Sequence, residues 1–307
     1  MGPLIHVGFP KCGSTWLQKK LFTNNESGFI SPWGEIPALA IEHLLVLDPF
    51  RFDEEIDTLR EQYIDGFKAA EKVKKTPVLS YEHFLFDQMN NKNFIKENTY
   101  RIKRLFPKPK ILLMIREQET LILSSYMEHL RRGFTTSLER FIGTERHRRT
   151  AFGPVCNIDT FRFDKIISYL HNEFGKNSVL CLPLEIIKSD KFTEAISNFC
   201  NLKIKGEGFQ QSEMVRAKRK GDYFFLRSLN HLGNSRYNNF TKDTSLRKLS
   251  YYTNIALSNL VPDSLFEGKK RKLKHIIQQH VGSAFVESNR NASKLIDIDL
   301  KTLGYNA

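Results

Sequence analysis

The chain of 307 residues has few cysteines and no long apolar run. Its four cysteines, Cys12, Cys156, Cys181 and Cys200, form no Cys-x-x-Cys pair, which argues against a zinc site and a disulfide framework. No stretch approaches the ~20 apolar residues of a membrane-spanning helix, and no basic leader with a cleavage site precedes the first apolar segment. We therefore expect a soluble, cytoplasmic protein without a transmembrane segment.

Basic residues are in excess, with 47 Lys and Arg against 34 Asp and Glu and a net charge of +13. This balance suits a polyanionic ligand such as a nucleotide, a nucleic acid or an acidic polysaccharide, although a well-solvated basic surface has the same composition. Apolar residues make up 40% of the chain, which indicates a globular protein. Because no repeat or low-complexity linker divides it, we expect one domain over residues 1–307.

Strand-like and helix-like segments alternate through the first half of the chain. The strand candidates are residues 4–9, 77–81, 111–115 and 178–182, and the helix candidates are residues 14–22, 55–72, 100–105, 117–131 and 161–174. This alternation predicts an α/β fold of the P-loop type, with a central parallel β-sheet flanked by helices. Beyond about residue 190 the pattern predicts a helical C-terminal portion.

Residues 8–16, Gly-Phe-Pro-Lys-Cys-Gly-Ser-Thr-Trp, join the first strand to the first helix. Backbone amides at a helix start point toward an anion, and the helix dipole favours negative charge there. Gly13 allows the backbone to approach closely, and Ser14 or Thr15 can cap the helix. The Gly-x4-Gly spacing is that of a Walker A loop, but Ser14 stands where that motif has lysine. The lysine of this loop is Lys11, two residues before Gly13, where its side chain would contact a ligand group at the entrance of the loop.

This loop resembles the Pro-Lys-(Ser/Cys/Ala)-Gly-(Ser/Thr)-Thr-Trp-Leu loop of sulfotransferases that use 3′-phosphoadenylyl sulfate (PAPS). The matching positions are Pro10, Lys11, Gly13, Ser14, Thr15, Trp16 and Leu17. Arg116 ends the third strand and Ser124 follows it at the spacing of the same family, and the forked guanidinium of arginine suits a phosphate. The resemblance, to bacterial carbohydrate-type members in particular, covers most of the chain.

The resemblance implies a site for PAPS and for its product, 3′,5′-adenosine bisphosphate, and no metal. The donor-binding positions that it implies are Lys11, Cys12, Gly13, Ser14, Thr15, Trp16, Arg116, Ser124, Arg219, Lys220 and Gly221. In this scheme Arg116 and Ser124 hold the 3′-phosphate, the loop amides hold the 5′-phosphate and Lys11 holds the bridging oxygen. The match at 219–221 is to an Arg-Lys-Gly loop of cytosolic members, and a solvated basic segment explains those residues at least as well.

Glu82 is the candidate catalytic base, because carbohydrate sulfotransferases typically have a glutamate near the end of the second strand. A positioned carboxylate can take the proton that the acceptor hydroxyl loses. His83 is the rival, since cytosolic members use a histidine, and a capping or ion-pair role for Glu82 stays open. A glutamate base and the basic charge favour a glycan acceptor. A basic cluster at Arg140 and residues 146–149 would favour an acidic glycan, unless it is a solvated loop.

Three other functions are compatible with parts of the sequence. A P-loop kinase acting on a small molecule is not supported, because the chain lacks the Walker lysine, and Arg116 follows the strand at residues 111–115 where a P-loop NTPase would have the Walker B Asp. A basic nucleic-acid-binding protein agrees with the charge, but the chain has no recognition motif. A sulfotransferase-like protein without catalysis is the third, and the presence of Lys11, Arg116 and Glu82 argues against it.

Overall fold

The structure is a computed structural model. It describes residues 2–24, 26–87, 92–143, 154–204, 220–232, 252–254, 256–257 and 260–307.

The described part of the chain contains a five-stranded parallel sheet and a separate short hairpin. The strands are β1 (Leu4–Gly8), β2 (Phe29–Ile30), β3 (Thr76–Ser80), β4 (Phe86–Asp87), β5 (Lys92–Asn93), β6 (Lys110–Ile115) and β7 (Val179–Pro183). The parallel sheet has the order β2-β3-β1-β6-β7, and β4 pairs with β5 in an antiparallel hairpin. Almost every residue of β1, β3 and β6 is buried, as expected when helices cover both faces of a parallel sheet.

Helices make up most of the remaining described residues. The α-helices are α1 (Ser14–Trp16), α2 (Ala38–Ile41), α3 (Pro49–Glu54), α4 (Ile56–Glu61), α5 (Ile64–Lys72), α6 (Ile95–Leu105), α7 (Gln118–Arg131), α8 (Leu138–Ile142), α9 (Phe163–Phe174), α10 (Asp190–Cys200), α11 (Leu226–Leu232), α12 (Asp263–Val281) and α13 (Val286–Ile296). Leu17–Phe22 and Glu42–Val46 are π-helical, and Leu17–Phe22 directly continues α1. Short 3-10 helices cover Ile158–Phe161, Lys176–Ser178, Leu184–Ile186, Lys220–Tyr223 and Leu300–Leu303.

The strand order has a topological switch point beside β1. From β1 the chain goes to β2 and β3 on one side, and it then crosses to β6 and β7 on the other. In open α/β sheets, ligands bind outside the carboxyl ends of the strands at such a switch point. The segments that follow β1 and β6 therefore border the expected binding crevice.

Helices α7 and α12 pack side by side in opposite directions. Lys274, in the second half of α12, reaches Thr120 near the start of α7. Phe266, near the start of α12, packs edge-to-face on Tyr223. Asp222, which precedes Tyr223, accepts a hydrogen bond from Arg131 at the end of α7. Helix α12 therefore runs along the helix that follows β6.

The predicted fold class is confirmed, and each predicted strand lies within about one residue of an observed one. The predicted helix at 55–72 is instead two helices, α4 and α5, separated at Gln62 and Tyr63. Tyr63 is fully buried against Trp33 and Phe106, so the break accompanies the packing of its ring in the core.

No helix in the part of the chain that the structure describes is long and apolar enough to cross a membrane.

Candidate active site

The loop that follows β1 is held against β6 and turns sharply into α1. The amide of Phe9 donates to the carbonyl oxygen of Met114 on β6, at 2.9 Å. Gly13, the residue before α1, has φ 90°, a left-handed conformation that favours glycine. A Cβ atom at Gly13 would lie 2.8 Å from Cδ1 of Leu184. The glycine therefore permits both the turn and the close packing behind it.

Several donors at the start of α1 have no partner within the described chain. The amides of Gly13, Ser14 and Thr15 donate no hydrogen bond to described backbone. The Ser14 hydroxyl is buried, with 5% of the residue exposed, and it has no hydrogen-bond partner. Buried polar groups normally find a partner, so this arrangement suits an anionic ligand whose oxygens accept these bonds.

Two cationic residues, Lys11 in this loop and Arg116 after β6, are in contact. Arg116 follows β6, and its Nη1 donates to the carbonyl oxygen of Lys11 at 3.1 Å. The Lys11 ammonium lies 3.0 Å from Oε2 of Glu128 on α7. The structure thus brings together Lys11 and Arg116, which lie 105 residues apart in the sequence.

Helix α7 is mostly buried, and partly exposed residues recur along one side of it. Half-buried residues occur at every fourth position, at Arg116, Thr120, Ser124, Glu128 and Arg132, whereas residues 121–123, 125–127 and 129–130 are buried. Away from this series, Glu117 and Glu119 are also half-buried and Arg131 is exposed. Residues four apart lie on one helix face. We call the series at every fourth position the α7 groove. The loop after β1 reaches it through Lys11, and α12 reaches it through Lys274.

Glu128 is the acidic member of the α7 groove, and sequence reasoning missed it. Besides Lys11, it faces Arg131 at 3.8 Å and Arg132 at 3.7 Å. Burial alone would raise the pKa of this carboxyl, but Lys11 first and then the two arginines hold it below its ordinary value. Glu128 is therefore ionised at neutral pH. The sequence contained one signal for Glu128, because it lies four residues after Ser124 and therefore on the same helix face. The pairing of Glu128 with Lys11 depends on tertiary structure.

Glu82 lies in the turn that follows β3, next to the loop after β1. Strand β3 pairs with β1 in parallel, and a Cβ atom on Gly8 would lie 2.9 Å from the carbonyl oxygen of Glu82. The missing side chain at Gly8 therefore lets the two backbones approach. The half-buried Glu82 side chain makes no hydrogen bond or ion pair with the described residues.

A cavity of about 210 Å³ is lined by Tyr81 and His83, the two sequence neighbours of Glu82. Its lining residues are Leu45, Tyr81, His83, Asp87, Lys92, Phe94 and Arg132. The Nδ1 atom of His83 is buried without a hydrogen-bond partner. Burial raises the pKa of Tyr81, as do the charges of Glu82 and Asp87, whereas Arg132 lowers it. Glu82 and the last residue of the α7 groove therefore share the surroundings of this cavity.

Two of the expected donor-binding residues place their side chains in the core. Cys12 is fully buried, and burial raises the pKa of its thiol. The Trp16 ring is 6% exposed and packs edge-to-face on Phe192. Thr15 is exposed.

Lys220 and Gly221 lie in a 3-10 helix near the far end of α7, while Arg219 lies outside the described residues. The Lys220 ammonium is 2.9 Å from Asp263 and 3.3 Å from the carbonyl oxygen of Val261. In the same helix burial raises the pKa of Tyr223, and the charges of Arg131 and Arg116 act against it. This segment therefore borders the α7 groove, although the ammonium of Lys220 already has an acidic partner.

The predicted acceptor cluster is described only at Arg140, an exposed residue of α8, because residues 144–153 lie outside the described chain. Within the described chain, no group of three or more His, Cys, Asp or Glu side chains is placed to hold a metal ion.

Comparison with known proteins shows a likeness in structure. No protein-family model matches the chain, and no curated protein is significantly similar to it in sequence. A crystal structure of a sulfotransferase from Alicyclobacillus acidocaldarius matches with a TM-score of 0.49 and 14% sequence identity. The match covers 99% of this chain and 98% of that chain. At this level the likeness concerns only the course of the backbone and assigns no role to any residue.

Proposed function

We propose that this protein is a sulfotransferase that uses PAPS as its donor. The observation that carries the proposal is that the loop after β1, which holds Lys11 and the unpartnered Ser14 hydroxyl, is bound through the Lys11 carbonyl oxygen by Arg116, at the carboxyl ends of β1 and β6. These groups lie at the switch point of a parallel sheet, where such folds bind nucleotides. The resemblance of the loop to the PAPS-dependent family supplies the identity of the nucleotide.

The donor binds with its 5′-phosphate at the start of α1. The free amides of Gly13, Ser14 and Thr15 and the Ser14 hydroxyl supply hydrogen bonds to the phosphate oxygens. Arg116 and Ser124 bind the ribose 3′-phosphate, which distinguishes PAPS from ATP. Ser124 fits this role because its half-buried hydroxyl has no partner among the described residues.

The reaction is an in-line displacement at sulfur. The acceptor oxygen forms a bond to sulfur while the bond from sulfur to the 5′-phosphate oxygen breaks, and the bonding electrons leave with 3′,5′-adenosine bisphosphate. Lys11 stabilises the negative charge that develops on the departing phosphate oxygen. To do so its ammonium exchanges Glu128, now 3.0 Å away, for the donor. No covalent intermediate with the protein is needed, by analogy with phosphoryl transfer.

Glu82 accepts the proton of the acceptor hydroxyl. It is half-buried beside Gly8 and has no ion-pair partner among the described residues, so its carboxylate is free to act as a base. His83 is the competing base, because its ring lines the same cavity and Nδ1 has no partner. The acceptor occupies this cavity in either case.

The acceptor is a glycan, and one sugar ring occupies the cavity. Tyr81 and Phe94 offer aromatic faces to the apolar side of a sugar, and Asp87, Lys92 and Arg132 offer polar groups for its hydroxyls or for an acidic substituent. Such a combination of aromatic and charged groups fits a carbohydrate better than a purely apolar alcohol.

Sulfuryl transfer from PAPS to a panel of glycans, measured as release of the bisphosphate, tests the function. Glu82→Gln should lower kcat by about a hundredfold or more and should leave the affinity for the bisphosphate unchanged. His83→Gln is the matched variant. A larger loss of kcat in His83→Gln than in Glu82→Gln would identify His83 as the base. If neither PAPS turnover nor bisphosphate binding is found with the wild-type protein, the proposal is wrong.

A further inference from the structure

The middle of the α7 groove carries the hydroxyls of Thr120 and Ser124, and neither hydroxyl bonds a carboxylate among the described residues, although the Thr120 amide donates to Glu117. Ser124 lies one helical turn, about 6 Å, after Thr120 and the same distance before Glu128. Glu128 pairs with Lys11, whereas the Ser124 hydroxyl has no partner among the described residues. The segment of the groove between Thr120 and Ser124 is therefore open to an anion.

Lys274 of α12 points its ammonium at this segment. Its Nζ donates to Oγ1 of Thr120 at 2.9 Å, and no described carboxylate lies within 4.0 Å of it. Lys270, one turn earlier on α12, differs because it pairs with Glu267 at 3.4 Å. Because the bond to Thr120 is to a neutral hydroxyl, it does not compensate the positive charge of this partly buried ammonium.

The nearest acidic side chain on α7 does not neutralise this ammonium. Burial raises the pKa of Glu119, and the charge of Glu117 adds to this, while Lys274 acts in the opposite direction. Glu119 thus lies close enough to Lys274 to feel its charge without forming an ion pair with it. Because Glu119 is adjacent to Thr120 in the sequence, it projects from a different face of the helix than the α7 groove.

We propose that Lys274 is the third group of a phosphate-binding subsite made with Arg116 and Ser124, and that this subsite takes the ribose 3′-phosphate of the nucleotide. The assignment rests on the proposed function, because it names a specificity-determining residue of the same donor site. Lys220 is the less suitable cation, since Asp263 and the Val261 carbonyl already occupy its ammonium.

The charges and donors of this subsite match a phosphate monoester. Such a group carries close to two negative charges at neutral pH, and Arg116 and Lys274 together carry two positive ones. The guanidinium supplies a fork of N–H donors, while the lysine and the serine supply single donors. A nucleotide without a 3′-phosphate would make no charge-assisted bond to either cation.

Binding of two nucleotides to four proteins tests this assignment. Titration calorimetry would compare 3′,5′-adenosine bisphosphate with 5′-AMP, which lacks the 3′-phosphate. Lys274→Met keeps the apolar stem and removes the charge, Lys274→Arg keeps the charge, and Lys272→Met changes an exposed residue of the same helix.

Lys274→Met should weaken bisphosphate binding by about ten- to a hundredfold, the usual effect of losing a charge-assisted hydrogen bond. Its affinity for 5′-AMP should stay within about twofold of the wild-type affinity. A loss confined to the bisphosphate shows that the 3′-phosphate contact is affected and that the fold is intact. Lys274→Arg should recover most of the affinity, and Lys272→Met should bind both nucleotides as the wild type does.

Equal weakening of both nucleotides in Lys274→Met, or no weakening of either, would overturn the assignment of Lys274. The proposed function would survive either result, provided that the wild type still binds the bisphosphate more tightly than 5′-AMP. A wild-type protein that does not distinguish the two nucleotides would contradict the proposed function itself.

Discussion

Replacing Glu128 by glutamine should strengthen nucleotide binding, although it breaks an ion pair seen in the structure. The Glu128 carboxylate holds the Lys11 ammonium at 3.0 Å in the free protein. A donor must take over that ammonium and then lie beside the carboxylate, which is ionised because Lys11 and two arginines lower its pKa against the effect of burial. Glu128→Gln removes both the competition for Lys11 and the repulsion.

The expected gain follows from the geometry of the α7 groove. One helical turn separates Glu128 from Ser124, so a phosphate at Ser124 lies about 6 Å from the carboxylate. Even a single negative charge on the phosphate repels the carboxylate at that distance by about 3 kcal/mol at an effective dielectric constant of about 20. The Lys11 and Glu128 side chains are 27% and 26% exposed, and screening by solvent reduces this to about 1–2 kcal/mol. Binding should therefore tighten by about five- to thirtyfold.

Calorimetric titration of the bisphosphate at fixed ionic strength measures this change. Glu139→Gln is the matched control, because Glu139 is exposed on α8 and its replacement alters the net charge equally. It should change the affinity by less than about twofold, since exposed and distant charges are screened. The gain in Glu128→Gln should also shrink as salt is added.

Unchanged or weaker bisphosphate binding by Glu128→Gln would refute this reasoning. It would mean that Glu128 orients Lys11 for the donor, or that the donor does not approach Lys11 at all. The same gain in Glu139→Gln would show that only net charge is involved.

Three further changes test other parts of the account. Lys92→Glu should raise the KM for the acceptor at saturating PAPS, whereas Lys96→Glu, an exposed residue outside the cavity, should not. His129→Phe should stabilise the protein by about 1 kcal/mol in denaturant titration, because both ring nitrogens are buried without a partner. Burial lowers the pKa of His129 to about 4, so the wild type should also lose stability relative to this variant as pH falls from 6.5 toward 4. Gly8→Ala should lower the free energy of unfolding by about 1–3 kcal/mol, because a Cβ atom would lie 2.9 Å from the Glu82 carbonyl oxygen at φ 141°.

Each of these predictions has an outcome that contradicts it. Equal changes in the acceptor KM for Lys92→Glu and Lys96→Glu would show that the acceptor does not bind in the cavity. A His129→Phe protein less stable than the wild type at neutral pH would mean that the ring nitrogens do have partners. If Gly8→Ala were as stable as the wild type, the backbone at Glu82 could shift to accommodate the added Cβ atom at little cost in free energy.

The strands and the loop after β1 could be predicted from the sequence because their signals are local. Short, largely apolar runs predict β1, β3, β6 and β7, and the glycine at Gly13 marks the turn into α1. The end of the helix at Gly175, where φ is 86°, follows from the same preference of glycine. That residues 1–307 form one domain stays a prediction.

Other parts of the site depend on contacts between distant segments, which periodicity does not reveal. Glu128 meets Lys11 across 117 residues of sequence, and Lys274 meets Thr120 across 154. The hairpin of β4 and β5 was missed because two-residue strands are too short to show an alternation. The cavity beside Glu82 depends on that hairpin.

The central claim is that the crevice beside β1 binds the nucleotide of a sulfuryl donor. Titration with 3′,5′-adenosine bisphosphate, beside ATP with Mg²⁺, tests it most directly. The account predicts bisphosphate binding that is lost in Lys11→Ala and in Arg116→Ala, and no binding of ATP. Binding of ATP with Mg²⁺, and no response to the bisphosphate, would contradict the account and favour a kinase.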